Sequence, residues 1–99
     1  MLFIRPEAER DLAEAYEWYE AREPGLGSDF LAEVDAVFEH IETNPAMFQE
    51  AHGKVRRALT KRFPYGVFYL VDSEDLVVIG VLHTARNPRL VRKRTKSRC

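Results

Sequence analysis

Ninety-nine residues with about a third of them charged are enough for one two-layer core and too few for a second domain. No apolar run approaches the roughly 20 residues needed to cross a bilayer, and the single cysteine, Cys99, excludes an internal disulfide. The net charge of −1 conceals an asymmetry. Residues 1–53 hold 3 Lys/Arg against 13 Asp/Glu, and residues 54–99 hold 12 against 3. A polyanionic partner for the basic half is one explanation, and mutual complementarity of the two halves across the fold is the other.

Leu2-Phe3-Ile4 is a short first strand. Pro6 then suits the first turn of a helix, with Glu7, Glu9 and Asp11 at its positive end. Leu12, Ala15, Tyr16 and Tyr19 recur at three and four and define a buried face, with Trp18 on its flank. Glu23-Pro24-Gly25-Leu26-Gly27 breaks the pattern. Ser28 or Asp29 is placed to cap a second helix, whose apolar stripe is Phe30, Val34, Val37, Phe38 and Ile41, and Asn44-Pro45 ends it. The short linker predicts an antiparallel helical hairpin. The acidic set Glu7, Glu14, Glu17 and Glu20 reads as a solvated face.

Residues 46–54 read as a loop with Met47 and Phe48 turned inward. Val55–Leu59 is a strand in which the neighbours Arg56 and Arg57 must point to opposite faces. In residues 63–71, Tyr65, Val67, Tyr69 and Val71 face one way and Phe68 and Leu70 the other. Asp72-Ser73-Glu74-Asp75 is a hairpin connection, and the β-branched run Leu76–Leu82 fits a central strand buried on both faces. Residues 89–99 are basic and expected to be loosely ordered. The fold class is therefore α+β, in the order β-α-α-β-β-β, with a helical hairpin on one face of a twisted, mainly antiparallel sheet. The other face is expected to be partly open or covered by a partner.

No nucleotide-binding motif is present. His40, His52 and His83 lack metal-ligand spacing, so neither a metal nor a cofactor is implied. The chemistry-bearing residues are the cations Lys54, Arg56, Arg57, Lys61, Arg62, Arg86, Arg89, Arg92, Lys93 and Arg94, whose guanidinium groups suit phosphate or carboxylate. His83, Tyr65 and Tyr69 stand beside them. His83 could move a proton while arginines hold a phosphoryl charge, or it could be the ordinary polar end of a strand.

The segments PEAERDLAEAYEWYE, KVRRALTKRFPYGVFYLV and VIGVLHTARNP together resemble the RelE/ParE superfamily of bacterial type II toxins, in its plasmid-stabilisation, ParE-like branch. The resemblance spans residues 2 to 94. It implies a bacterial growth inhibitor neutralised by a cognate antitoxin that wraps a helical or extended segment around it; the absence of a spanning run or signal-peptide core and the lone cysteine lead to a cytoplasmic expectation. Two modes of action follow from it. A ParE-like inhibitor of DNA gyrase would use Arg57, Lys61, Arg62, Arg86, Arg89 and Arg92 to bind its target. A RelE-like, ribosome-dependent mRNA endonuclease would use His83, Arg86, Arg57 and Lys61. Arg57 and Arg86 fall where RelE-like toxins carry functional cations. Leu59 and Gly66 stand where others would be, and the tail RLVRKRTKSRC has neither Tyr nor His. That pattern favours the gyrase inhibitor, with Arg86 on the working surface and His83 fixing local structure.

Overall fold

The computed structural model describes residues 1–85 and 88–96. The chain runs β1 (Leu2–Ile4), α1 (Pro6–Arg22), α2 (Leu26–Thr43), a 3-10 turn (Pro45–Met47), β2 (Glu50–His52), β3 (Val55–Leu59), β4 (Tyr65–Asp72), β5 (Asp75–His83) and α3 (Pro88–Lys96). The five strands form one sheet in the order β1-β5-β4-β3-β2. β1 is parallel to β5, and the remaining pairs are antiparallel. The α+β class, the helical hairpin and the main strands agree with the sequence.

Pro6 opens α1 with Glu7 and Glu9 in its first turn, where a missing N–H costs nothing and negative charge is favourable. The helix buries Ala8, Ala15 and Tyr19. α2 starts earlier than its Ser28/Asp29 signal suggests, at Leu26 after Gly25. The acceptor for its first amides comes from α1: Glu20 takes Gly25 N–H at 2.9 Å on one oxygen and Gly27 N–H at 3.0 Å on the other. Glu20 is thus a cap supplied across the hairpin. At Gly27 the two helices approach closely, since a methyl group there would lie 2.7 Å from the Tyr16 carbonyl oxygen.

The hairpin buries Phe30, Val34, Val37, Phe38 and Ile41 against Val67, Tyr69, Val78 and Val81 of the sheet. Tyr19, Phe30, Phe63 and Tyr65 meet edge-on or tilted, with ring centroids 4.7–6.1 Å apart, a geometry favoured by the ring quadrupoles. Each fully buried side chain in this layer, such as Phe30 or Ile41, contributes about 2–3 kcal/mol of apolar transfer.

Three expectations need correction. The second sheet face is not open. Val55, Phe68, Leu70, Ile79 and Leu82 form a second core there, with Leu90 of α3 packed against it. The basic tail is accordingly not loose through Lys96. Pro88 starts a helix, and Leu90 and Arg94, four apart, fall on one face and anchor it to the fold. Residues 46–54, read as a loop, contain the end of the 3-10 turn and β2. There Phe48 packs on the core while Met47 is exposed. Arg56 organises this stretch by donating to the Phe48 carbonyl, and the buried Tyr69 hydroxyl donates to Pro45 O at 2.6 Å.

β5 pairs with β4 through an irregularity: Phe68 stands opposite Gly80 and Tyr69 opposite Val78, leaving Ile79 as an extra residue. The bulge lets Ile79 and Gly80 both face the α3 layer. Gly80 sits directly beneath Arg94, whose nitrogen would be 2.9 Å from an added Cβ.

Candidate functional site

β1 is only three residues long and pairs with β5 over Leu76–Val78. Beyond that point the outer edge of β5 has no strand beside it, yet its backbone groups still need partners. Three residues supply them. Arg5 N–H bonds Val78 O at 3.1 Å, Arg94 donates to Ile79 O at 3.0 Å, and Asp11 accepts from Val81 N–H at 3.0 Å. Arg94 and Asp11 also bind each other at 2.6 and 3.1 Å, with both side chains largely buried. The hydrogen bond to Asp11 raises the Arg94 pKa further above the usual arginine value; desolvation opposes this, and the charges of Asp11, Glu7 and Glu14 reinforce it. Sequence reasoning counted Arg94 among the chemistry-bearing cations and took Asp11 only as an acidic residue at the start of α1. The signal was present, because Asp11 interrupts the buried stripe Ala8, Leu12, Ala15, and a carboxylate in an apolar stripe requires a partner.

By strand alternation, the next outward-facing backbone groups of β5 are Val81 C=O and His83 N–H. They border a cleft of about 450 Å³ between α1, the end of β5 and α3, lined by Asp11, Glu14, Trp18, Tyr65, His83 and Leu90 among others. Trp18 is half exposed on its rim, with the Arg22 guanidinium 3.9 Å from its ring centroid.

His83 and Arg57, grouped in the nuclease reading, stand on opposite faces of the sheet. His83 pairs with Tyr65, and their rings meet at 5.5 Å, on the side of the helical hairpin. Its Nδ1 accepts the Ala85 N–H at 3.2 Å, which fixes the turn after β5. Arg57 pairs with Phe68, on the α3 side. Its aliphatic stem lies over Gly66, and its exposed guanidinium has no ion-pair partner among the described residues. Arg56 faces the other way, as the period of two requires.

Lys61 and Arg62 lie in the β3–β4 connection, where the sequence placed them. Arg62 approaches Asp29 at 3.5 Å, with both side chains more than half exposed. Arg89, Arg92 and Lys93 are exposed along α3. Arg86 lies outside the described residues. The structure thus divides the predicted target-binding set: Arg57 on the sheet face, Lys61 and Arg62 on a loop, and Arg89 and Arg92 on a helix. Among the described residues no group of three His, Cys, Asp or Glu side chains is placed to hold a metal ion, and no helix is long and apolar enough to cross a membrane.

This architecture is that of a small α+β domain. A solved structure described as "Chromosomal ParDE TA system from P. aeruginosa" superposes with a TM-score of 0.74, covering 83% of this chain and 92% of that one at 14% sequence identity, which speaks to the fold alone. Comparison with curated protein sequences gives no match. The family model described as "ParE toxin of type II toxin-antitoxin system, parDE" matches residues 2–88, and the chain belongs to this family of ParE toxins. As a member of a toxin-antitoxin family it has an antitoxin for a partner.

Proposed function

We propose that this toxin arrests growth by binding and blocking DNA gyrase in the cytoplasm, and that its antitoxin neutralises it. One observation carries the choice of target over messenger RNA: His83 and Arg57 lie on opposite faces of the sheet. Phosphodiester cleavage needs a proton-transfer group and a cationic clamp within about 3 Å of one reacting centre. With a five-stranded sheet between them, these two residues do not act on one phosphate. The remaining cations suit binding. Arg57, Arg89, Arg92 and Lys93 carry exposed charges on the sheet face and on a helix held in place by Leu90 and Arg94, and Lys61 and Arg62 add charge on the β3–β4 loop.

The antitoxin reading is supported by the cleft beside β5. The outward Val81 C=O and His83 N–H offer a short edge for strand addition, and Trp18 and Leu90 offer apolar contacts on either side. A segment seated there would bury Trp18 and lie across both α1 and α3.

The test is a short induction in a bacterial host, with DNA and protein synthesis followed separately by pulse labelling. An early fall in DNA synthesis with a DNA-damage response is expected. An early fall in protein synthesis with transcripts cut within codons would replace the gyrase reading with the endonuclease one.

A further inference from the structure

Glu33, on the flank of α2, holds a single carboxylate oxygen against two consecutive backbone donors, Lys61 N–H at 2.7 Å and Arg62 N–H at 2.8 Å. Successive amides converging on one point make an anion-binding concavity, and such charge-assisted bonds are stronger than neutral ones. The loop that presents them is braced without Glu33. The Thr60 hydroxyl donates to the Phe63 and Tyr65 carbonyls, Thr60 N–H bonds Tyr65 O at 3.0 Å, and Tyr65 N–H bonds Phe63 O at 2.8 Å.

Beside these amides lies a cleft of about 330 Å³ lined by Leu59, Lys61, Arg62, Phe63, Pro64 and Thr84, among others. Leu59 is 53% exposed there, and the Lys61 ammonium has no ion-pair partner among the described residues. We propose that the Lys61–Arg62 amide pair is a carboxylate-binding site, occupied here by Glu33 as an internal stand-in. An acidic side chain of a partner peptide takes it over while a neighbouring apolar residue settles on Leu59. The occupant in the structure is a carboxylate, and the adjoining floor of Leu59, Phe63 and Pro64 suits a peptide better than a nucleic-acid phosphate flanked by polar sugar. Glu33 competes at the high effective concentration of a tethered group, so stray anions are excluded and only a ligand bringing further contacts displaces it. The site does not depend on which target the toxin strikes.

The test follows the Lys61 and Arg62 amide protons by NMR in the ¹⁵N-labelled full chain. In Glu33→Ala, sodium acetate is expected to move both protons downfield and to saturate, with an affinity at least tenfold above that of the wild type. Acetyl-Leu-Glu-amide should bind severalfold tighter than acetate and shift the Leu59 methyls. No saturable acetate shift in the folded variant would reduce Glu33 to a loop brace and overturn the proposal. Tighter binding of inorganic phosphate than of acetate would overturn the ligand class. Should Glu33→Ala not fold, Glu33→Gln retains an acceptor oxygen without the charge; acetate must then displace it with the same two shifts, and failure to do so overturns the proposal equally.

Discussion

Arg94 and Asp11 are 83 positions apart in the chain, yet they form a two-point ion pair at 2.6 and 3.1 Å. Each also bonds the backbone of β5, Arg94 at Ile79 O and Asp11 at Val81 N–H. Two side chains therefore do at this edge what a longer β1 would have done, and they tie the last helix to the first. Removing one partner strands a buried charge, which costs about 3–5 kcal/mol. Arg94→Ala should lose stability in that range, and denaturant unfolding with a double-mutant cycle against Asp11→Ala should give a large coupling. Because the Arg94 pKa is raised in the fold, its contribution is complete below the ordinary arginine value and is lost only at more alkaline pH. Arg94 should therefore contribute no pH dependence to stability near neutrality.

The Tyr69 phenol responds within reach of experiment. Burial raises its pKa above the ordinary 10.0, and the Arg56 charge offsets part of that rise. A raised folded-state pKa means that the stabilisation is intact below about pH 10 and falls as pH climbs through the folded value. Tyr69→Phe leaves Pro45 O without its 2.6 Å donor. It should cost about 1 kcal/mol near neutrality and flatten the alkaline limb of a stability–pH curve.

Gly27→Ala tests the seam of the helical hairpin. The new methyl would lie within 3 Å of the Tyr16 backbone and ring, so overpacking should destabilise by about 1–3 kcal/mol, despite the better helix propensity of alanine. Thermal unfolding would show it.

For toxicity, the outcomes should divide by location. Reversing Arg89 and Arg92 together to Glu should abolish growth arrest with stability changed by less than about 0.5 kcal/mol, as expected for exposed positions. His83→Ala should keep growth arrest, because that imidazole supports the turn at Ala85. Growth curves with a parallel unfolding measurement separate the two effects.

Trp18→Ala should weaken binding of the antitoxin about tenfold, in the range of an interface aromatic anchor, without reducing arrest by the free toxin. Titration calorimetry with the antitoxin would measure it.

The layers of the fold were legible in the sequence because their signals are periodic. The α2 stripe from Phe30 to Ile41 and the alternation of Tyr65, Val67 and Tyr69 against Phe68 and Leu70 both reappear as buried faces. α3 was obscured because its polar residues outnumber Leu90, and a basic run reads as solvent-facing unless its distant acceptor is known. Glu20 and Glu33 were obscured for the same reason. Each carboxylate acts on backbone amides of another segment, and no local pattern marks such a partner. The cations of the candidate site were legible as types and positions. Their division between a sheet face, a loop and a helix became visible only with the fold.

The parallel pairing of β1 with β5 also constrains the order of events during synthesis. The first strand emerges from the ribosome with no neighbour, and it acquires one only when residues 75–83 have followed. The edge is sealed only when Arg94 arrives. Contacts of such wide sequence separation form late, so this side of the sheet is completed only near the end of translation. A chain that stops short of α3 would therefore carry both helices of the hairpin and all five strands with this edge still unsealed.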